Sequence, residues 1–405
     1  MTVATQEWPP GVKQEVPARV PPIVELEFDP EARPDWAGAA APLHMPVPPW
    51  EPRAVREGHV LVGAKLGQDE RLPLVAVGKT GLELAYPWRR WEAYIRSERY
   101  ATWRRRPLHT RSPISYRIVP PRLRNVLAGR MCRDREKQET AFPRPPMDGG
   151  FEALRSVVQS YSKPAASAPP PRVCLTHDID TAGGFAFVKE IASLECSLGL
   201  RSSWNVVPYG YRVDHGVCDW LIEQGFEIGL HGYCHDNRLI YLPESGLRRR
   251  LEACREFIER YSVRGFRSPS WLRNPQLMRV LADYVDYDCS CLDFDWLSPA
   301  GRAGVLTATP FRFGRLVEIP TTLPFEAPLL VGAGPVETIA YWREKVDWLV
   351  QVRGQAVLNT HPDPHYSGNG LMIRAYGQFL EELLTALSNQ WSLPRELADE
   401  VPPIV

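Results

Sequence analysis

Arg172-Val-Cys-Leu-Thr-His-Asp-Ile-Asp180-Thr-Ala-Gly-Gly184 decides how the rest of the chain is read. A short apolar run, Val173 to Leu175, leads into two carboxylates on either side of Ile179 and then a glycine pair. A buried strand that delivers acids to the C-terminal edge of a sheet has this pattern. Asp178 and Asp180 would be costly there without a cation or a catalytic purpose. Taken alone, the stretch reads equally well as an ordinary strand end in which an Asp caps the next helix. The downstream sequence separates the two readings.

Past this stretch, strand-like apolar runs alternate with longer helical patterns. The candidate strands are 172–176, 203–207, 226–231, 263–267, 285–290, 316–319 and 355–360. The candidate helices are 185–198, 216–224, 245–261, 275–283, 337–353 and 371–388. Such alternation argues for an α/β fold with a parallel sheet covered by helices. About seven strands fit a distorted or incomplete (β/α) barrel over 172–388 better than an open sheet. Residues 389–405 read as a tail. Upstream, 161–171 is a proline-rich linker, Lys163-Pro-Ala-Ala-Ser-Ala-Pro-Pro-Pro-Arg172 at its heart. Before it, 56–160 reads as a small N-terminal α+β domain: Leu72–Gly78 is strand-like, and Trp88 to Trp103 carries aromatics at helical spacing. Residues 1–55, rich in Pro, Ala and charge, read as an extended, partly disordered lead-in.

Composition narrows the functional classes. The chain has 405 residues, with 48 Lys+Arg against 48 Asp+Glu, so no bulk charge points to nucleic acid. No run approaches the roughly 18 apolar residues of a membrane helix, and Met1-Thr-Val-Ala-Thr-Gln-Glu7 has no signal-peptide pattern, so a cytoplasmic protein is expected. Its 8 cysteines are scattered and read as reduced, structural thiols. Arg89-Arg90 and Arg104-Arg105-Arg106 read first as a solvated helix face. Alternatively they face an anionic partner: a nucleotide-sugar diphosphate, a lipid phosphate or a membrane surface touched peripherally.

Polar residues recur where successive strands end, which is where barrel active sites are built. Phe226-Glu-Ile-Gly-Leu-His231 runs into Gly232-Tyr-Cys-His235, and histidines four apart on one helical turn can grip one cation. Asp180 would be a third ligand, and two His with one carboxylate leave positions open for water and substrate. Arg267, in Arg267-Ser-Pro269, would need a carboxylate partner if buried, and Asp178 is the natural one. Asp288-Cys-Ser-Cys-Leu-Asp293-Phe-Asp295-Trp296 crowds carboxylates around an aromatic. The last strand delivers His361, a residue type suited to general acid work. Each signal is weak alone; four in order make coincidence improbable.

Residues 172–385 resemble the polysaccharide deacetylase family, the fourth family of carbohydrate esterases. Thr176-His-Asp-Ile-Asp180 is similar to its first motif in an Asp-x-Asp form, His231-x-x-x-His235 to the second and Arg267-x-Pro269 to the third. Asp293-Phe-Asp-Trp296 resembles the fourth motif and Leu358-x-x-His361 the fifth. The resemblance implies a distorted (β/α) barrel and one divalent metal, commonly zinc, held by Asp180, His231 and His235. It implies Asp178 as general base, Arg267 as its support, His361 as general acid, and Leu358 on the wall that receives an acyl methyl. Asp293 is the first choice to orient His361, with Asp288 and Asp295 as alternatives. His177 replaces the family's usual aromatic and reads as lying behind the ligands rather than among them.

The expected reaction is hydrolysis of an N-acetyl group on an amino sugar, releasing acetate. The expected substrate is a surface-polysaccharide precursor, nucleotide- or lipid-linked, whose phosphate or lipid side the N-terminal domain could hold. Two other readings stand beside it. One is a C–N hydrolase acting on a non-sugar amide or cyclic imide, with or without metal. The other is a catalytically inactive carbohydrate-binding barrel.

Overall fold

Ile23-Val-Glu-Leu-Glu-Phe28 alternates apolar and acidic side chains, and this period of two makes a half-buried strand. Val24 and Leu26 are buried, while Glu25 and Glu27 are partly exposed. The computed structural model describes residues 23–37, 42–53, 55, 58–66, 71–101, 126, 129–130, 148–162, 170–294 and 304–403. β1 (Ile23–Phe28) lies between β2 (Leu43–Pro46) and β3 (His59–Lys65), antiparallel to both. β4 (Arg71–Gly78) and β5 (Gly81–Leu84) complete a sheet in the order β2-β1-β3-β4-β5. The segment read as a lead-in over 1–55 therefore supplies two strands; its prolines flank β1 and do not enter it. The helices Trp88–Arg96 and Gly150–Tyr161 pack with this sheet through Trp91, Ile95, Phe151 and Leu154, all buried.

The larger sheet consists of β6 (Val173–Ile179), β7 (Ser202–Val206), β8 (Glu227–Leu230), β9 (Gly265–Phe266), β10 (Tyr287–Asp288), β11 (Phe311–Phe313), β12 (Leu316–Glu318), β13 (Leu323–Pro324) and β14 (Ala356–Thr360). Their order is β11-β12-β10-β9-β8-β7-β6-β14-β13. Every neighbouring pair is parallel except β11 with β12. The sheet is curled and its ends do not join, so it is an incomplete (β/α) barrel with a separate small N-terminal sheet. Nine strands stand where about seven were expected; β11 and β13, of 3 and 2 residues, are too short to leave a periodic signal.

Alternation along β6 sorts its side chains between two surroundings. Val173, Leu175 and Ile179 join the core shared with Val188 and Ile191 of the covering helix Phe185–Ser197. Cys174 instead packs with Tyr287, Cys289 and Val357 inside the barrel, where Leu397 and Ala398 also lie. Those last two belong to the helix Pro394–Glu400, within the residues expected to form a tail. The segment is tied down at β6: Val173 donates its backbone N–H to Gln390, and Ser392 donates to Val173, both at 2.9 Å. An open barrel leaves apolar interior to cover, and this short helix covers it.

The N-terminal and barrel parts share one apolar core. Trp36 meets Trp348 edge-on at 6.3 Å, and the Ala308 backbone N–H donates to Glu152 at 3.2 Å. Residues 163–169 of the expected linker and Arg104 to Arg106 lie outside the described residues. Arg89 and Arg90 are exposed. None of the seven described cysteines forms a disulfide with another. Among the described residues no helix is long and apolar enough to cross a membrane.

Glu227 on β8 is buried and accepts a hydrogen bond from the Tyr287 hydroxyl at 2.9 Å. Burial outweighs that bond and pushes the carboxyl up from 4.5 to about 7. A raised folded-state value gives a contribution to stability that is complete below the unfolded value and lost as pH climbs through the folded one. Glu227→Gln should therefore gain about 1–3 kcal/mol over the parent at pH 8 and almost nothing near pH 4.5. Urea unfolding at the two pH values measures this, and equal effects at both would refute it.

Candidate active site

Residues two apart on a strand share a face, so the residue between Asp178 and Asp180 keeps both carboxylates on the concave side. Ile179 turns to the helices and is fully buried. Asp178 accepts hydrogen bonds from two side-chain amides, Asn205 on β7 at 2.8 Å and Asn359 on β14 at 3.2 Å. Arg267 Nε stands 3.8 Å from its Oδ1, and the guanidinium, itself fully buried, donates to Thr176 Oγ1 at 2.8 Å. Burial alone would raise the carboxyl of Asp178; Arg267, with His231 and His361 beside it, holds it below its ordinary 3.8. Gly229 makes room for this arrangement, since a Cβ there would lie 2.1 Å from Asn205 Oδ1.

Asp180, His231 and His235 converge, with one ligand atom from each within 4.8 Å of the others. Asp180 Oδ1 is 3.1 Å from Nε2 of both histidines. Burial opposes its charge, but His235 and the two imidazole hydrogen bonds hold the carboxyl well below 3.8. His231 donates from Nδ1 to the Arg267 carbonyl at 2.9 Å, which leaves Nε2 to face Asp180. Ligating histidines are commonly oriented in this way, and a His₂-carboxylate donor set suits a divalent cation. The residues present therefore fit a metal. Asp363, whose role was not read from the sequence, accepts from the Asp180 backbone N–H at 3.0 Å and from the Thr181 hydroxyl. Burial pushes its carboxyl up to about 6.

His361 directly follows β14, with Nε2 3.8 Å from Asp178 Oδ2. Its orienting carboxylate is Glu326, just after β13: His361 Nδ1 is 3.2 Å from Oε2, and the His361 backbone N–H donates to Oε1 at 2.6 Å. This corrects the expectation for Asp293, which lies 2.5 Å from the buried ammonium of Lys345. Asp288 accepts from Ser290 at 2.6 Å, and Ser290 in turn receives the Ser268 backbone N–H. Asp295 lies outside the described residues. The role expected for Leu358 is also corrected. Leu358 pairs in register with Leu175 and shares its helix-covered core, whereas Asn359 turns inward to Asp178. His177 is buried on the helix side, stacked 4.0 Å from Trp204 and 2.7 Å from Glu195 Oε1.

Trp271 and Tyr366 flank His361, the first perpendicular at 6.3 Å and the second tilted at 4.9 Å. Ser270 and Trp271 both have left-handed backbones, φ 54° and 50°, which cost on the order of 1–3 kcal/mol each in non-glycine residues. The barrel mouth thus holds an ionised carboxylate, an imidazole backed by a second carboxylate, and a set of metal-type donors. Together these can deliver a base, an acid and an electrophile to one bond.

In structure the chain is similar to solved proteins described as polysaccharide deacetylases and family 4 carbohydrate esterases. A protein from Mycobacterium smegmatis assigned as a polysaccharide deacetylase matches with TM-score 0.47 and 21% identity, over 60% of this chain and 96% of its own. Puue allantoinase matches with TM-score 0.43 and 15% identity, over 64% and 97%. A CE4 family pseudoenzyme from Bacillus anthracis matches with TM-score 0.39 and 14% identity, over 68% and 83%. No family model matches the chain, and no curated protein does. The names of these three span different activities, and only this chain's own side chains bear on its chemistry.

Burial opposes the charge of His361, yet Glu326 outweighs it and raises the imidazolium to about 10. A raised histidine value means that the charged form persists through neutrality and is lost as pH rises toward 10. Glu326→Gln removes the largest raising influence, so the His361 transition should move to lower pH by at least about one unit. Ring-proton NMR of His361 reads the shift without any turnover; an unmoved transition would remove Glu326 from the orienting role.

Proposed function

We propose that the protein is a metal-dependent N-deacetylase acting on an N-acetylated amino sugar. The observation that carries this reading is the approach of His361 to within 3.8 Å of the buried, ionised Asp178, beside the convergent Asp180, His231 and His235. The last three residues would hold one divalent cation, zinc being the first choice for nitrogen and oxygen donors. When bound, such a cation would supply Lewis acidity toward the amide carbonyl and would lower the pKa of water toward about 7. Asp178 takes the proton of the attacking water as its oxygen adds to the carbonyl carbon. Arg267, Asn205 and Asn359 keep Asp178 ionised and aimed. The C–N bond then breaks, and His361, held protonated by Glu326, gives its proton to the departing nitrogen. Acetate and a free amine leave.

The finer reading is a surface-polysaccharide precursor, nucleotide- or lipid-linked and handled in the cytoplasm. Exposed Arg89 and Arg90 supply the positive charge a linked phosphate would meet. A phosphate-free acetylated sugar turned over equally well would count against this refinement.

Three variants test the main reading. The purified chain should carry about one divalent ion, absent from Asp180→Ala. Asp178→Asn and His361→Ala should each cut acetate release from N-acetylhexosamine oligomers by about 10²–10⁴-fold with the fold retained. Near-parental rates in either variant would sink the role assignment. No metal in the parent chain, even after reconstitution, would sink metal dependence.

A further inference from the structure

We propose that Glu98, from the N-terminal part of the chain, is a positioning residue for the candidate site, acting through Arg273 on the Trp271 wall beside His361. The inference rests on the reading of His361 as the catalytic acid. Trp271 and Ser270 hold left-handed backbones next to one another, a conformation that bulky side chains rarely keep without outside restraint. Arg273 supplies the restraint: its Nη1 donates to the Trp271 carbonyl at 2.8 Å and to the Ser290 carbonyl at 3.2 Å. Ser290 also receives the Ser268 backbone N–H at 2.7 Å, so both ends of the Arg267–Trp271 loop are fastened near one guanidinium.

Arg273 is 2% exposed, and a cation so buried requires a counter-charge. Glu98 provides it in a fork-to-fork pair, accepting from Nε at 2.6 Å and from Nη2. The carboxylate is itself 3% exposed, and it also accepts the Gly304 backbone N–H at 2.8 Å. Tyr100, two residues on, donates its hydroxyl to the Gly304 carbonyl at 2.5 Å. One turn of the N-terminal part thus clamps two barrel loops, 268–273 and the loop at 304. Glu98 touches none of the reacting groups; its charge fixes Arg273, Arg273 fixes the Trp271 carbonyl, and Trp271 limits where the His361 ring can stand.

The test is a double-variant cycle between Glu98 and Trp271 in the metal-loaded 405-residue chain. Glu98→Gln should lower kcat about tenfold or more on an N-acetylhexosamine oligomer with KM nearly unchanged, and metal content should hold. Trp271→Ala should lower kcat similarly. The double variant should fall no more than about threefold below the worse single one, because both changes break the same chain of contacts. Hydrogen exchange at 268–273 should accelerate in Glu98→Gln, and this readout needs no turnover. If the parent chain releases no acetate while exchange still accelerates, the deacetylase reading fails and the clamp stands. Multiplicative losses in the double variant, or unchanged exchange in a folded Glu98→Gln protein, would overturn the proposal. Should Glu98→Gln not fold, Glu98→Asp, which keeps the charge but shortens its reach, serves the same cycle with the same expected and overturning results.

Discussion

The site is organised around a charge kept where charge is expensive. Asp178 is 2% exposed, and an uncompensated carboxylate in such a place would protonate rather than remain ionised. Its compensation comes from four elements of the sheet and its connections: Asn205 from β7, Asn359 from β14, Arg267 after β9 and His361 after β14. Because β6 pairs with both β7 and β14, the first and last long strands of the barrel meet at this one carboxylate. Strand order and electrostatics therefore cannot be separated here. A change in register at either neighbour would remove an amide donor and leave the charge unmet.

The same logic extends outward in layers. Arg267 can answer Asp178 because its own backbone carbonyl fixes His231, and its side chain donates to Thr176, which donates in turn to the Leu358 carbonyl. Behind the sheet, Glu195 gathers His177, Ser202 and the Tyr376 hydroxyl, so a polar knot on the helix side braces the strand that carries the two aspartates. The open barrel is braced by parts of the chain outside its own strands and covering helices. The helix Pro394–Glu400 packs into its interior, and the N-terminal part buries Glu98 against Arg273 beside the mouth. The helix Pro394–Glu400 and the turn that carries Glu98 both brace the barrel.

How far the sequence could be read depended on what kind of element carried each residue. Asp178, Asp180, His231, Arg267 and His361 were legible because each ends or follows a strand that leaves an apolar run or sits in a recognisable motif. Glu326 was not, because β13 before it is 2 residues long and reads as loop. β1 was hidden by prolines around it, and the helix Pro394–Glu400, 7 residues long, is too short for a helical period to stand out. Asp293 drew attention because it stands among other carboxylates and an aromatic. Its partner, Lys345, is 52 residues on and lies in the middle of a helix, and no local pattern announces such a pairing.

The place of Leu358 follows from parity. Side chains on a strand alternate, so two residues can serve the same cavity only when an even number of steps separates them. Leu358 and His361 are three apart, which puts them on opposite sides if the strand runs on to its end without a bulge. Asn359 and His361 are two apart, and so are Asp178 and Asp180, and Thr176 and Asp178. Over 355–361 the same rule assigns Leu358 to the helix-covered core and Asn359 to the cavity. It also changes what the inner wall is made of. At the position facing Asp178 the strand offers an amide that donates a hydrogen bond, not an apolar surface, so the environment of Asp178 is more polar than the resemblance implied. An ionised carboxylate needs such a wall.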